Sequence, residues 1–231
     1  MTASVRRAVR LEHRLTQPTA SLADLEAAVA LVIEYELAAL TVSPWLVKAA
    51  KRALAQSRVT IGTVVGYPYG AMLTSVKVYE ASAALDQGAT QIDFVLNGGA
   101  LVSEDDQAVF ADMVAVVDMA HSALAAAGVI LPPASLTEEL VRRACRLSER
   151  AGADYLVTGV GRGGARDTLV RTRLLRDSVG PRIGVKASGR FTSAEELDDA
   201  VRAGATRVSA ELTTALAALA AERVAPVGAA T

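Results

Sequence analysis

Eight short runs rich in β-branched residues alternate with longer segments of helical periodicity along the whole sequence, with no linker between them. The runs are VRLEHRL, AALTVSP, VTIGTVVGYP, QIDFVLN, GVILPPA, ADYLVTG, RIGVKAS and RVSAE. The intervening segments, from SLADLEAAVALVIEYE to SAEELDDAVRAG, and the closing TTALAALAAERV carry apolar residues near i, i+3, i+4 and i+7. That stripe is how a helix packs on a sheet. Nearly continuous apolar strands belong to sheets buried on both faces, which are parallel. Eight such units predict an α/β fold, a single (β/α)8 TIM barrel. The barrel is expected over residues 1–223, with 224–231 (VAPVGAAT) as a flexible C-terminal tail.

The length of 231 residues fits one such barrel, which runs at roughly 200 to 250 residues. An open doubly wound sheet is the alternative, and it calls for a glycine-rich dinucleotide loop after the first strand. The corresponding stretch, LEHRLTQPTAS, has no glycine, and no cofactor is expected. Punctuation agrees with the division into units. The phrases QGATQID, AGADYLV and AGATRVS place Gly88, Gly152 and Gly204 as left-handed residues closing a helix before the next strand. Ser193, and Ser135 or Thr137, precede acidic first turns as N-caps.

A composition 52% hydrophobic with a formal charge of −1 supports a large core and lacks the basic surplus that nucleic acid or anionic membranes attract. No signal-like apolar region follows the basic N-terminus, and no window nears the roughly 18 apolar residues of a membrane span. Cys145 is the only cysteine, which excludes an internal disulfide and suits a reducing compartment. A cytoplasmic protein is expected. His, Asp and Glu show no metal-ligand spacing, so no metal site is expected.

In a barrel of this kind, polar residues interrupting apolar strands mark the active site. Asp93 in QIDFVLN and Lys186 in RIGVKAS are ionisable groups inside strands four and seven, where unpaired burial costs several kcal/mol. Two readings are open. The pair is either an ion pair that fixes the barrel, or an acid/base pair in which the cation keeps the carboxylate ionised and desolvation lowers the lysine toward neutrality.

The stretches LTVSPWLVKAAKRAL, GTVVGYPYGAMLTSVKVYEASAALDQGATQIDFVLNGGAL, LTEELVRRACRLSERAGADYLVTG and IGVKASGRFTSAEELDDAVRAGATRVS resemble the deoxyribose-phosphate aldolase family, from about Leu11 to Ser209. The resemblance implies a class I aldolase on a TIM barrel. In that family a strand-six lysine forms a Schiff base, a strand-seven lysine lowers its pKa, and a strand-four aspartate relays protons. Lys186 and Asp93 match the latter two as catalytic residues. Val157 falls at the place of the nucleophile, and residues 152–184 contain no lysine. A valine forms no imine.

Other departures follow. Glu12 keeps an acidic residue in the first-strand motif, Arg14 replaces its threonine, and Thr41 replaces the strand-two cysteine. Pro132 and Pro133 stand where a glutamate and a threonine usually follow strand five. The family's phosphate-binding glycine pair reads Gly189-Arg190, and its last turn reads Ser209-Ala210-Glu211. Glu211 repels a phosphate, while Arg190 and Arg162, the latter in GVGRGG, either grip an anion or are solvated loop charges. The residues expected against the substrate are therefore Glu12, Arg14, Thr41, Val157, Thr158, Arg162, Gly189, Arg190 and Glu211. Lys77 is expected on a helix surface or paired with Glu80, His13 as a base or a satisfied structural histidine, and His121 on the surface.

Three functions remain. One is a diverged lyase on a small-molecule carbonyl substrate, using Lys186 and Asp93 either with Lys186 as Schiff-base former or for proton transfer alone. Another is the ordinary family aldolase with Lys186 as relocated nucleophile. The last is a non-catalytic barrel. A polar open mouth favours an enzyme, whereas Pro132, Pro133 and Tyr155 filling it favour the last. A homodimer is the possible assembly.

Overall fold

In a computed structural model, described over residues 10–132, 136–214 and 216–217, the eight runs close into a barrel. The strands are β1 (Leu11–Leu15), β2 (Ala39–Val42), β3 (Thr60–Val65), β4 (Gln91–Val95), β5 (Ala126–Ile130), β6 (Tyr155–Val157), β7 (Gly184–Ser188) and β8 (Arg207–Ala210). Each pairs in parallel with the next, and β8 returns to β1 with Glu12 opposite Ser209. The chain is a single (β/α)8 TIM barrel. Pro133, Ser135, the tail 224–231 and most of the last expected helix lie outside the described residues.

Among the described residues, eight α-helices lie between the strands: α1 (Leu22–Glu34), α2 (Val47–Ala53), α3 (Thr74–Asp86), α4 (Gly98–Val102), α5 (Asp106–Ser122), α6 (Glu138–Arg150), α7 (Ala165–Arg176) and α8 (Ala194–Arg202). Thr137 and Ser193 accept hydrogen bonds from the amides of Leu140 and Glu196, as expected of N-caps. Gly88, Gly152 and Gly204 take φ of 107°, 79° and 104°, where a side chain is strained. The short α4 is not marked by periodicity. It forms because the Asn97 side chain accepts from the amide of Ala100. Among the described residues no helix is long and apolar enough to cross a membrane.

The period of two along each strand divides the interior. Leu40, Ile92, Phe94, Val129, Leu156, Val185 and Val208 point outward and form the main core with the helices, where Cys145 is also buried. The alternate positions point to the barrel axis. Polar Glu12, Arg14, Thr41, Gln91, Asp93, Lys186, Ser188 and Ser209 are buried there or at its mouth, with a smaller apolar group around Val64 and Val157.

Lys77 departs from expectation. It is fully buried on the inner side of α3, and its ammonium donates to Asp112 Oδ2 of α5 at 2.6 Å and to the Val95 carbonyl at 2.9 Å. Glu80 instead accepts from the Gly66 amide. Position 77 faces the sheet, and its partner lies 35 residues away on another helix, so local spacing carries no trace of the pair. Thr74 Oγ1 donates to the other Asp112 oxygen at 2.9 Å, completing the tie. Removing one member leaves an uncompensated buried charge, so Asp112→Ala should cost about 3 to 5 kcal/mol of stability in urea unfolding.

Candidate active site

Three strands deliver charge to one point on the barrel axis. Lys186 Nζ of β7 lies 2.7 Å from Asp93 Oδ2 of β4 and 3.0 Å from Glu12 Oε2 of β1, and no side chain of the three is more than 5% exposed. Glu12 Oε1 is 3.5 Å from Arg207 of β8, so two carboxylates face two cations. The Tyr155 ring lies beneath, 5.3 Å from Lys186 Nζ and 5.8 Å from the Arg207 guanidinium. Gly128 opposite Asp93 is required by packing, since a Cβ there would run into the Asp93 carboxylate and touch Val157.

Burial by itself pushes the Lys186 pKa down, but Asp93 and then Glu12 outweigh it and hold it above the ordinary lysine value. The expectation of a lysine lowered toward neutrality is corrected. One carboxylate was anticipated beside it, and the second, Glu12, adds to the pull of Asp93 toward the ammonium.

Above this cluster the mouth is closed by hydrocarbon. Val64, Val95, Ile130, Val157 and Val160 pack together with Tyr67, whose hydroxyl donates to the Val160 carbonyl at 2.8 Å. A cavity of about 10 Å³ remains, room for about one water. Arg14, Thr41, Asp93, Val157, Lys186 and Ser209 are among its walls. Asp93 Oδ1 and Thr41 Oγ1, both buried, have no hydrogen-bond partner among the described residues. Of the three residues whose filling of the mouth would favour a non-catalytic barrel, the two that are described lie elsewhere. Tyr155 begins β6 and floors the site, while Pro132 lies two residues beyond β5, against Gly98 and with its carbonyl toward Arg171. Pro133 lies outside the described residues.

Arg14 reaches from β1 across the mouth. Its Nη1 donates to Ser188 Oγ at 2.9 Å and to the Ser209 carbonyl at 3.3 Å, and its Nη2 donates to the Gly161 carbonyl at 2.9 Å. Glu211 is 3.5 Å from Nη2, with its side chain 48% exposed. Thr158 ties β6 to β7, accepting from the Ser188 amide and donating to the Ser188 carbonyl. Arg162 and Arg190 are exposed. Arg162 borders a separate cavity of about 120 Å³ with Gly163, Thr168 and Arg171.

Gly189 and Arg190 do not form an open anion cradle. Their amides donate to the carbonyls of Ser209 and Gly163, and Thr168 covers Gly189. Tyr67, Arg207 and Arg171 were missed as neighbours of the site. Arg207 had a signal, an ionisable residue opening the strand run RVSAE, whereas Tyr67 reaches Val160 only through the fold.

His13 is structural. Its Nδ1 accepts from the Leu212 amide at 3.1 Å, and burial, then the Arg14 charge, push its pKa down to about 4. His121 is partly exposed and paired with Asp154 at 2.9 Å.

A parallel eight-stranded barrel with a lysine held between carboxylates inside it has the build of a TIM-barrel aldolase. The model of the DeoC/LacD family aldolases matches residues 7–227, and the chain belongs to that family. It is 37% identical over 206 residues to the deoxyribose-phosphate aldolase of Bacillus cereus (strain AH187), covering 89% of this chain and 92% of that protein. It is 42% identical over 178 residues to that of Thermococcus kodakarensis, covering 76% and 80%. Among solved structures, "QR15, an Aldolase" superposes with a TM-score of 0.85 at 31% identity, covering 94% of this chain and 96% of that one. The deoxyribose phosphate aldolase of Aeropyrum pernix, described as a unique tetramer, superposes with a TM-score of 0.84 at 27% identity, covering 95% and 91%.

The His13 environment sets a pH dependence. The unfolded histidine takes up its proton near pH 6.5 and the folded one only near 4, so stability is complete above pH 6.5 and falls as pH drops through that window. Over the whole interval the loss is about 3 kcal/mol. Urea midpoints measured from pH 7 to pH 4 should therefore fall less steeply in His13→Asn than in the wild type.

Proposed function

We propose that this chain is a lyase-type enzyme of its family that acts on a carbonyl-bearing small molecule by proton transfer, without a Schiff base. The observation that carries the reading is Lys186 Nζ seated between Asp93 at 2.7 Å and Glu12 at 3.0 Å. Imine formation needs a neutral amine, and this environment favours the ammonium. An ammonium is instead a donor to a carbonyl oxygen, stabilising the negative charge that develops when a neighbouring carbon is deprotonated or a carbon–carbon bond breaks. Asp93 Oδ1, unpartnered on the cavity wall, is the base, and Thr41 Oγ1 is free to bind a substrate hydroxyl. Glu12 positions Lys186. A retro-aldol, isomerisation, dehydration or cyclisation fits these parts. Substrate entry requires Tyr67 and Val160 to part, because the cavity otherwise holds about one water.

The test is solvent-deuterium incorporation next to the carbonyl in a panel of aldehydes, keto acids and deoxyribose 5-phosphate, followed by NMR, with borohydride trapping in parallel. Exchange is expected with at least one compound. It should drop about 100-fold or more in Lys186→Gln and Asp93→Asn, with no borohydride adduct on the protein. An adduct on Lys186 would replace this reading with the relocated nucleophile, and cleavage of deoxyribose 5-phosphate would give the chain the activity its relatives are named for. The closed apolar mouth supports a second reading, a non-catalytic barrel. Exchange at the buffer rate for every compound would establish that instead.

Self-association and a cytoplasmic location complete the proposal. Leu73, Val76 and Tyr79, 74%, 48% and 77% exposed, lie at i, i+3 and i+6 on and beside α3 next to the 76% exposed Tyr69, an apolar face of the kind that subunits bury. Light scattering should give about twice the monomer mass of 24.0 kDa, and Tyr79→Glu should return it to one. A monomer in the wild type would remove this part of the proposal.

A further inference from the structure

Arg14 is a cation almost removed from water whose counter-charge stays largely in it. Arg14 is 4% exposed and burial lowers its pKa, yet the carboxylate facing it, on a Glu211 side chain that is 48% exposed, stands 3.5 Å off and meets one nitrogen only. Its other contacts are neutral: Ser188 Oγ, the Ser209 carbonyl and the Gly161 carbonyl. A planar fork of this kind is the side chain best suited to take a carboxylate through two parallel hydrogen bonds.

Its place gives the charge a use. Arg14 shares the walls of the small cavity with Asp93 and Lys186. Gly161 and Ser188, both bonded to Arg14, also line the neighbouring cavity of about 120 Å³, and Gly159, Val160 and Ser188 belong to both. A ligand anchored on Arg14 would lie where the two spaces meet, with room on one side and the Lys186 ammonium on the other.

We infer that Arg14 is the receptor for a carboxylate on the substrate, that the substrate is a short oxo acid, and that Glu211 holds the receptor's place until it arrives. The inference rests on reading the barrel mouth as the substrate site and does not depend on the proton-transfer chemistry. A phosphate ester is the competing ligand, and the backbone speaks against it. Amides at the positions matching the family's phosphate-binding turns are engaged, Gly189 to the Ser209 carbonyl at 3.2 Å, Arg190 to the Gly163 carbonyl at 2.9 Å and Leu212 to His13 Nδ1 at 3.1 Å. A single guanidinium beside Glu211 suits a monoanion that exchanges with that glutamate better than a dianion that is repelled by it.

Calorimetric titration with pyruvate, with neutral hydroxyacetone of similar size and with inorganic phosphate tests this on the wild type, Glu211→Ala and Arg14→Lys. Pyruvate is expected to bind at least about tenfold more tightly than hydroxyacetone, the difference a desolvated charge pair makes. Glu211→Ala should tighten pyruvate about three- to fivefold by removing the internal competitor, the scale of a partly exposed ion pair. Arg14→Lys should weaken it about tenfold or more by losing the fork. Equal binding of hydroxyacetone, tighter binding of phosphate, an unchanged pyruvate affinity in Glu211→Ala, or no pyruvate binding in either protein would overturn the inference. Glu211 is exposed, so its variant decides the matter even where a change at Arg14 unfolds the chain. Pyruvate bound through Arg14 without deuterium exchange would sink the proton-transfer function alone, whereas exchange without carboxylate preference would sink only this inference.

Discussion

The ammonium of Lys186 sits inside a barrel whose axis is otherwise closed to water, and the arrangement around it follows from keeping that charge paired. Removing a single ion from water costs several kcal/mol even after relaxation, so a lone lysine there would lose its proton or unfold the strand that carries it. Asp93 and Glu12 prevent both outcomes from opposite sides, at 2.7 and 3.0 Å. Their excess negative charge is balanced in turn by Arg207, and Tyr155 lays an aromatic face under both cations. Four strands, β1, β4, β7 and β8, are thereby tied across the barrel rather than only along its wall. The absence of a side chain at Gly128 is part of the same construction, because the Asp93 carboxylate occupies that volume.

The chemistry available at the site is set by the layer above. Hydrocarbon from Val64, Val95, Ile130, Val157 and Val160, latched by the Tyr67 hydroxyl, excludes solvent from the ionic cluster. In that environment each electrostatic contact is stronger than it is in water, and an ammonium is a more effective donor to a developing oxyanion. Val157, beside Lys186 in the strand register, contributes bulk where the family resemblance implies a nucleophile. An amine at that position would compete for the same carboxylates, whereas a valine leaves them to Lys186. At the rim Arg14 is held by neutral oxygens and faces a solvated Glu211, so the mouth carries positive charge without an open phosphate cradle.

The architecture was legible because it is written in local chemistry. Apolar runs of strand length, helical stripes and the glycines at 88, 152 and 204 each act within a few residues, and all of them agree on βα units. Asp93 and Lys186 were legible for the opposite reason, as ionisable groups placed where a strand should be apolar. The direction of the lysine pKa was not. It is set by Asp93 together with Glu12, which stands 174 positions earlier and meets Lys186 only when β1 closes against β8. Lys77 was misplaced because the partner that lets it be buried, Asp112, belongs to another helix. Whether Pro132 and Tyr155 fill the mouth was left open by their strands alone, and strand length and register placed one against Gly98 and the other on the floor.

The sequence by itself determined the fold class, the number and order of strands, the family, and the residue types that carry charge into the interior, because periodicity, capping and burial cost are properties of short stretches of chain. Only the tertiary structure decided that Lys186 remains an ammonium, that Tyr67 and five valine and isoleucine side chains close the mouth, and that Arg14 occupies the rim with Glu211 opposite it. Those outcomes depend on distances between groups far apart in sequence, and electrostatic and packing energies are fixed by such distances rather than by composition.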